Sequence, residues 1–261
     1  MRTAVRLPIS VDVAALQRDL DTAARHQWIT HFNSGYFDGD WSGIVLRGRE
    51  GEIGIVPGQT SSADGFRDAP VLEACPAFRS VLEQIDCELL SVRLLRLTPG
   101  SVIREHSDWD LSTEHETVRL HVAVRTNPQV EFYVNGERVV LNEGESWYLD
   151  LSKPHRVQNL GATDRVHLVI DCVANAWLRA LIAANTQRPH EDARQANPFA
   201  EFQQDVWRHP HLLAELLTVD TEHFAESVVM IARRHGHHIT AEDVTAAQRQ
   251  TRREWTERYR V

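Results

Sequence analysis

The sequence predicts an antiparallel β-sandwich or barrel such as a jelly roll, with a helix before it and a small helical domain after it. Three observations carry this. Between Gly43 and Cys172, short β-rich runs recur, punctuated by Gly, Pro, Asn and Asp. No helical period intervenes between the strands from Val118 to Cys172, which argues against parallel βαβ units. After about Val173 the period of two gives way to helical spacing.

Taken in order, residues 11–27 (VDVAALQRDLDTAARHQ) carry Val11, Val13, Ala14, Leu16 and Leu20, which predicts an amphipathic helix. Gly- and Asp-rich punctuation follows around Gly35 to Gly43. Strand-like runs then span Gly43 to Arg47, Glu52 to Val56 and Leu89 to Leu97. Val118 to Thr126 alternates Val118, Leu120, Val122 and Val124 against Arg119, His121, Ala123 and Arg125, the pattern of a half-buried strand with a polar face. Val130 to Val134 and Glu137 to Leu141 flank Asn135-Gly136, a pair suited to a two-residue hairpin turn in which both positions have positive φ. Ser146 to Asp150 and Arg165 to Cys172 complete the strands.

Beyond them, residues 173–186 look helical and Gln187 to Asn197 reads as a polar linker. Phe224, Val228, Ile231 and Ala232 share a helical face, and Gly236 suits a helix stop. Thr240 and Asp243 resemble a capping box for a last helix through about Arg258. The expected division is residues 1–190 as a β-rich domain and 191–261 as a helical one.

Composition narrows the function. The chain has 261 residues, 42% hydrophobic and 25% charged, which suffices for a real core. A net charge of −9 argues against a nucleic-acid binder that works by phosphate neutralisation. No apolar run reaches the roughly 18 residues of a membrane span, and Met1 to Ser10 lacks the apolar stretch of a signal peptide. Cys75, Cys87 and Cys172 are odd in number and widely spaced, which fits a reduced, cytoplasmic protein. The 14 histidines invite a metal hypothesis.

The sharpest local pattern is His106-Ser107-Asp108. On a strand, residues i and i+2 face the same side, so an imidazole and a carboxylate could bind one ion together. His155, in Lys153-Pro154-His155, is the best third ligand. Two His and one carboxylate on one face of a metal leave open positions, as non-haem Fe(II) oxygenases require. Alone, His-x-Asp also fits a surface turn with a solvated histidine. Arg165, ten residues after His155 on the next predicted strand, could hold a distal carboxylate bidentately.

The runs VRLHVAVRTN, VEFYVNGERVVLNEGESWYLD, PHRVQNLG and DRVHLVIDC, with Arg93, Arg96 and Trp41 upstream, resemble the aspartyl/asparaginyl β-hydroxylase family of Fe(II)/2-oxoglutarate-dependent oxygenases. Within it they are most similar to bacterial free-proline hydroxylases. The resemblance covers roughly residues 35–175 and implies a double-stranded β-helix, a cupin-like jelly roll. It implies His106, Asp108 and His155 as metal ligands and catalytic residues, with Fe(II), 2-oxoglutarate and O₂ as cofactor and co-substrates. It further implies Arg165 as the anchor of the 2-oxoglutarate C5 carboxylate, with Arg119 and His121 lining the same pocket. Arg119 pairing with an acidic neighbour and His121 as a hydrogen-bonded core residue are the structural alternatives.

The expected activity is hydroxylation of an unactivated C–H in a free amino acid or small derivative, proline-like or aspartate/asparagine-like. The competing readings are hydroxylation of an Asp, Asn or Pro residue within a peptide, and a non-catalytic cupin-like binding protein. The tail around His223 to Ala247 weakly resembles a nitrogen-fixation-type leader-peptide domain, which would favour a peptide; otherwise it would pack or support a homodimer. Neither nucleic acid nor membrane is an expected partner.

Overall fold

The computed structural model describes residues 2–50, 54–55, 57–58, 60–186, 199, 202, 205–206, 210–219, 223–241 and 243–245. The chain divides into two compact units, Met1–Gln187 and Arg188–Val261.

The first unit begins with β1 (Ala4–Leu7), α1 (Val13–Ala23), β2 (Ile29–Thr30), β3 (Phe37–Asp38), β4 (Trp41–Arg49) and β5 (Phe66–Asp68). Two short helices follow, α2 (Pro70–Glu73) and α3 (Pro76–Leu82), and then β6 (Leu89–Leu97), β7 (Val102–His106) and β8 (Thr117–Arg125). It ends with β9 (Val130–Val134), β10 (Glu137–Arg138), β11 (Ser146–Leu149), β12 (His155–Asn159), β13 (Arg165–Val173) and α4 (Ala176–Asn185). The larger sheet runs β1-β11-β8-β13-β6-β4-β2 with β5 on β4, and the smaller runs β10-β9-β12-β7-β3. Every strand pairing between these elements is antiparallel, giving the β-rich jelly roll that the pattern of short runs predicts.

Parity along the strands separates two cores. Val92 and Leu94 of β6, Val118, Leu120, Val122 and Val124 of β8, and Val166, Leu168 and Ile170 of β13 join one cluster with Leu16 and Leu20 of α1, Phe78 of α3 and Leu178 and Ile182 of α4. The opposite parity supplies Leu95, Leu97, Ala123 and Val169, which pack with Phe132, Val134, Val157 and Ile103 of the smaller sheet. The polar face of β8 therefore looks into the space between the sheets. Residues 117–124 are buried throughout, rather than half-exposed as simple alternation suggests.

Local chemistry explains the element ends. Asp12 caps α1 by accepting from the Ala15 N–H at 3.0 Å. Proline occupies the first turn of both α2 and α3, where its missing N–H costs nothing. Asn135 (φ 52°) and Gly136 (φ 77°) make the expected hairpin turn. Its second strand stops at Arg138 rather than Leu141, although the Val139 N–H still donates to Phe132 O at 2.7 Å. In the expected strand from Glu52 to Val56, Gly54 and Ile55 are not in a strand, and Glu52, Ile53 and Val56 lie outside the described residues.

In the second unit, α5 (Pro210–Leu216) and α6 (Phe224–Arg234) contribute to a core of Phe202, Val206, Leu212, Val228, Ile231, Ala232, Ile239 and Val244. Gly236 (φ 84°) follows α6 as the expected stop. Thr240 and Asp243 form a reciprocal capping box: the Thr240 N–H donates to Asp243 Oδ2 at 2.8 Å and the Asp243 N–H to Thr240 Oγ1 at 3.2 Å. Most of the expected last helix and the whole expected linker, Gln187 to Asn197, lie outside the described residues.

Candidate functional site

His106 closes β7 and His155 opens β12, and the antiparallel register sets them directly opposite one another. Asp108 is not on a strand. β7 ends at His106, and the Asp108 N–H donates to Leu151 O at 2.8 Å, in the loop after β11. The expectation that i and i+2 share a strand face is therefore corrected: a loop, not a pleat, turns the carboxylate toward the imidazoles. One side-chain ligand atom from each of His106, Asp108 and His155 lies within 4.8 Å of the others. Among the described residues no other His, Cys, Asp or Glu group is so arranged.

The imidazoles are prepared as acceptors. His106 Nδ1 lies 2.8 Å from Arg104 O, and His155 Nδ1 lies 3.0 Å from Lys153 O. A carbonyl only accepts, so Nδ1 carries the proton in each neutral ring and Nε2 keeps its lone pair. His106 Nε2 is 3.9 Å from Asp108 Oδ1. Burial and the neighbouring His106 lower His155 to about 4, so it is neutral near pH 7, as a metal ligand must be. The donor set of two imidazoles and one carboxylate suits an Fe(II) site with open positions.

Behind the triad, the inner-facing residues of β13 and β8 form a buried polar layer. Arg119 is bound on both sides. Its Nε donates to Asp171 Oδ1 at 2.6 Å, its Nη2 to Asp171 Oδ2 at 3.1 Å, and its Nη1 to Asp108 Oδ2 at 2.8 Å. Arg93 Nη2 also donates to Asp171, and so does the Gly58 N–H at 2.9 Å. Burial disfavours the Asp171 anion, but Arg119 and Arg93 outweigh it and hold the carboxyl below its ordinary value. Burial likewise works against the Arg119 cation, and Asp171 and Asp108 more than compensate.

Arg165 differs. It is 2% exposed, and among the described residues it forms no ion pair. Its Nη2 donates to His167 Nδ1 at 2.8 Å, its guanidinium carbon lies 5.5 Å from the Phe132 ring centre, and its Nε has no hydrogen-bond partner among the described residues. Burial lowers it to about 9, which leaves it charged at neutral pH. His121 Nδ1 approaches His167 Nδ1 at 3.4 Å, and its Nε2 is buried with no partner among the described residues. Burial and the Arg165 charge hold both histidines well below their usual value. A buried cation with no acidic partner among the described residues, beside unsatisfied polar atoms, is costly by itself and suits an anionic ligand.

The two arginines of the upstream resemblance separate clearly. Arg93 and Arg96 face opposite ways on β6: Arg93 is buried against Asp171, whereas Arg96 pairs with Asp40 at 3.0 Å and covers the Trp28 ring. Trp147 is buried, and Trp109, beside Asp108, is 77% exposed. In the second unit His237 pairs with Asp205 and His235 with Glu215. Asp171 escaped the sequence reading. Its signal was parity, since Arg165, His167, Val169 and Asp171 are spaced by two along one strand. His31 was also missed; it stacks on Trp41 with ring centres 3.6 Å apart, and burial with Arg93 and Arg119 lowers it to about 4.

The profile of the aspartyl/asparaginyl β-hydroxylase family matches residues 10–175. The chain is 27% identical over 234 residues to the L-proline cis-4-hydroxylase of Rhizobium meliloti (strain 1021), covering 87% of this chain and 80% of that one. Among solved structures, it is similar to a 2OG-Fe(II) oxygenase family oxidoreductase from Burkholderia pseudomallei (17% identity, TM-score 0.45, covering 66% of this chain and 86% of that one). A Pseudomonas putida prolyl-4-hydroxylase is also similar (9% identity, TM-score 0.41, covering 67% and 95%).

Proposed function

The chain belongs to the aspartyl/asparaginyl β-hydroxylase family, and from that premise we propose that it is an Fe(II)/2-oxoglutarate-dependent dioxygenase that hydroxylates a free, proline-like amino acid. The observation that carries this reading is the convergence of His106, Asp108 and His155 in a unit that also buries Arg165 with no acidic partner among the described residues. The proline hydroxylase relative supports the choice of substrate class.

In this reading His106 and His155 present Nε2, and Asp108 one carboxylate oxygen, to the iron. Bound iron with 2-oxoglutarate and O₂ supplies the oxidation that converts C–H to C–OH, releasing succinate and CO₂. Arg165 takes the far carboxylate of 2-oxoglutarate, an ion pair strengthened by the dry surroundings. Neutral His167 orients the guanidinium without competing for its charge. His121 stands beside His167 in the same buried layer, where its Nε2, without a partner among the described residues, accepts from a donor on the bound group or a trapped water. The apolar residues between the sheets, Leu95, Phe132 and Val169 among them, exclude bulk water.

The test is a turnover assay with Fe(II), 2-oxoglutarate and a panel of free amino acids and proline-containing peptides. The expected result is succinate formed together with a gain of one oxygen on free L-proline or a close analogue, abolished in Asp108→Ala. Full turnover by Asp108→Ala would remove the ligand assignment, and oxidation of peptides alone would move the substrate class.

A further inference from the structure

We propose that Asp171 is a positioning residue for the metal centre, acting through Arg119 to fix Asp108 so that a single carboxylate oxygen faces the two imidazoles. The inference rests on His106, Asp108 and His155 being the metal ligands.

Asp171 is 0% exposed and accepts from Arg93 Nη2, Arg119 Nε, Arg119 Nη2 and the Gly58 N–H. Three of these donors reach Oδ2 and one reaches Oδ1, so both oxygens are engaged and the carboxylate is held against turning. Arg119 meets it with the Nε–Nη2 edge of its fork. Because a guanidinium is planar and rigid, fixing that edge also fixes the direction of Nη1. Nη1 is the atom that reaches Asp108 Oδ2, at 2.8 Å.

Asp108 needs such a hold. It lies beyond the end of β7, in a loop, so strand pairing does not set its side chain. With Oδ2 engaged by Arg119, Oδ1 is the oxygen turned to His106, 3.9 Å from its Nε2. A carboxylate held in this way binds a metal through one oxygen and leaves more positions open for co-substrates. The charges alternate along Arg93, Asp171, Arg119 and Asp108, so Asp171 also balances two buried guanidiniums. Neutralisation alone would be a structural role, and the test must separate the two.

Metal-stripped full-length protein is titrated with Co(II), read by its visible absorption, and the metal-free forms are melted in parallel. Asp171→Asn should bind Co(II) about 10- to 100-fold more weakly, the range typical of losing a partner behind a metal ligand. Arg93→Met combined with Asp171→Asn removes one buried charge of each sign; it should recover melting temperature and still bind Co(II) weakly. Arg119→Lys keeps every charge but loses the fork, and it should weaken Co(II) binding similarly. Recovery of Co(II) affinity in the double variant, or unchanged affinity in Asp171→Asn or Arg119→Lys, would overturn the proposal and leave the ligand assignment standing. His155→Ala is the control: if it binds Co(II) as the unaltered chain does, the ligand assignment fails and the inference with it.

Discussion

Arg165 costs stability while it waits for an anion. A buried guanidinium whose best neighbour is a neutral imidazole has lost hydration without gaining a counter-charge. Arg165→Met, close in volume and apolar, should therefore raise the melting temperature of the ligand-free protein. It should also weaken 2-oxoglutarate binding by about 2–5 kcal/mol, which is roughly 30-fold or more. Calorimetric titration beside a thermal melt reads both, and a lower melting temperature with unchanged 2-oxoglutarate affinity would contradict the assignment. The candidate residues that were legible in the sequence are those on strand ends with a spacing signature: His106, His155 and Arg165. Asp108 was legible for a reason the structure corrects, since a loop rather than a strand presents it. Asp171 was not legible, because an acid inside a run of Val, Leu and Ile gains its meaning only from two arginines that stand 52 and 78 residues earlier.

Elements show the same division between local and long-range causes. Asp19 lies on α1, yet its Oδ2 accepts from the Ala77 and Phe78 N–H groups at the start of α3, at 2.6 and 3.0 Å. One helix thus caps another, a contact invisible to the i, i+3 capping signals read along a sequence. Asp19→Ala leaves one buried and one partly buried donor without their acceptor and should cost about 1–3 kcal/mol, a fall of several degrees for a unit of this size by thermal melt. A variant melting with the unaltered chain would show that water or another side chain replaces the cap. The Asn135-Gly136 turn is the opposite case, with its cause wholly local. Asn135→Val places a β-branched residue at φ 52° and should cost about 1–3 kcal/mol. The long strands and α6 were readable because their periods persist over nine or more residues. β2, β3, β5 and α2 have two to four residues each and carry no period to read.

At the scale of the molecule, the surplus of histidine becomes a prediction about acid. Most of the 14 histidines have no place in the candidate metal site, but several are held inside the first unit as neutral rings. His121 and His167 are pushed well below 6.5 by burial and Arg165, and His155 to about 4 by burial and His106. The sign follows from linkage. Above about pH 6.5 neither the folded nor the unfolded chain protonates these rings, so they contribute no pH dependence. Below it the unfolded chain takes up protons that the folded chain refuses, and stability falls by about 1.4 kcal/mol per pH unit for each such ring. Asp171 acts lower down: its folded value is depressed below 3.8, so its contribution is present above that value and is lost as acid protonates it. Urea midpoints of the chelator-treated protein should therefore be level down to about pH 6.5 and then decline steeply toward about pH 5. His121→Gln, which removes one buried imidazole, should make that decline shallower. A midpoint that stayed level through this interval would mean that the interior between the sheets admits protons, and the dry surroundings inferred for Arg165 would have to be abandoned.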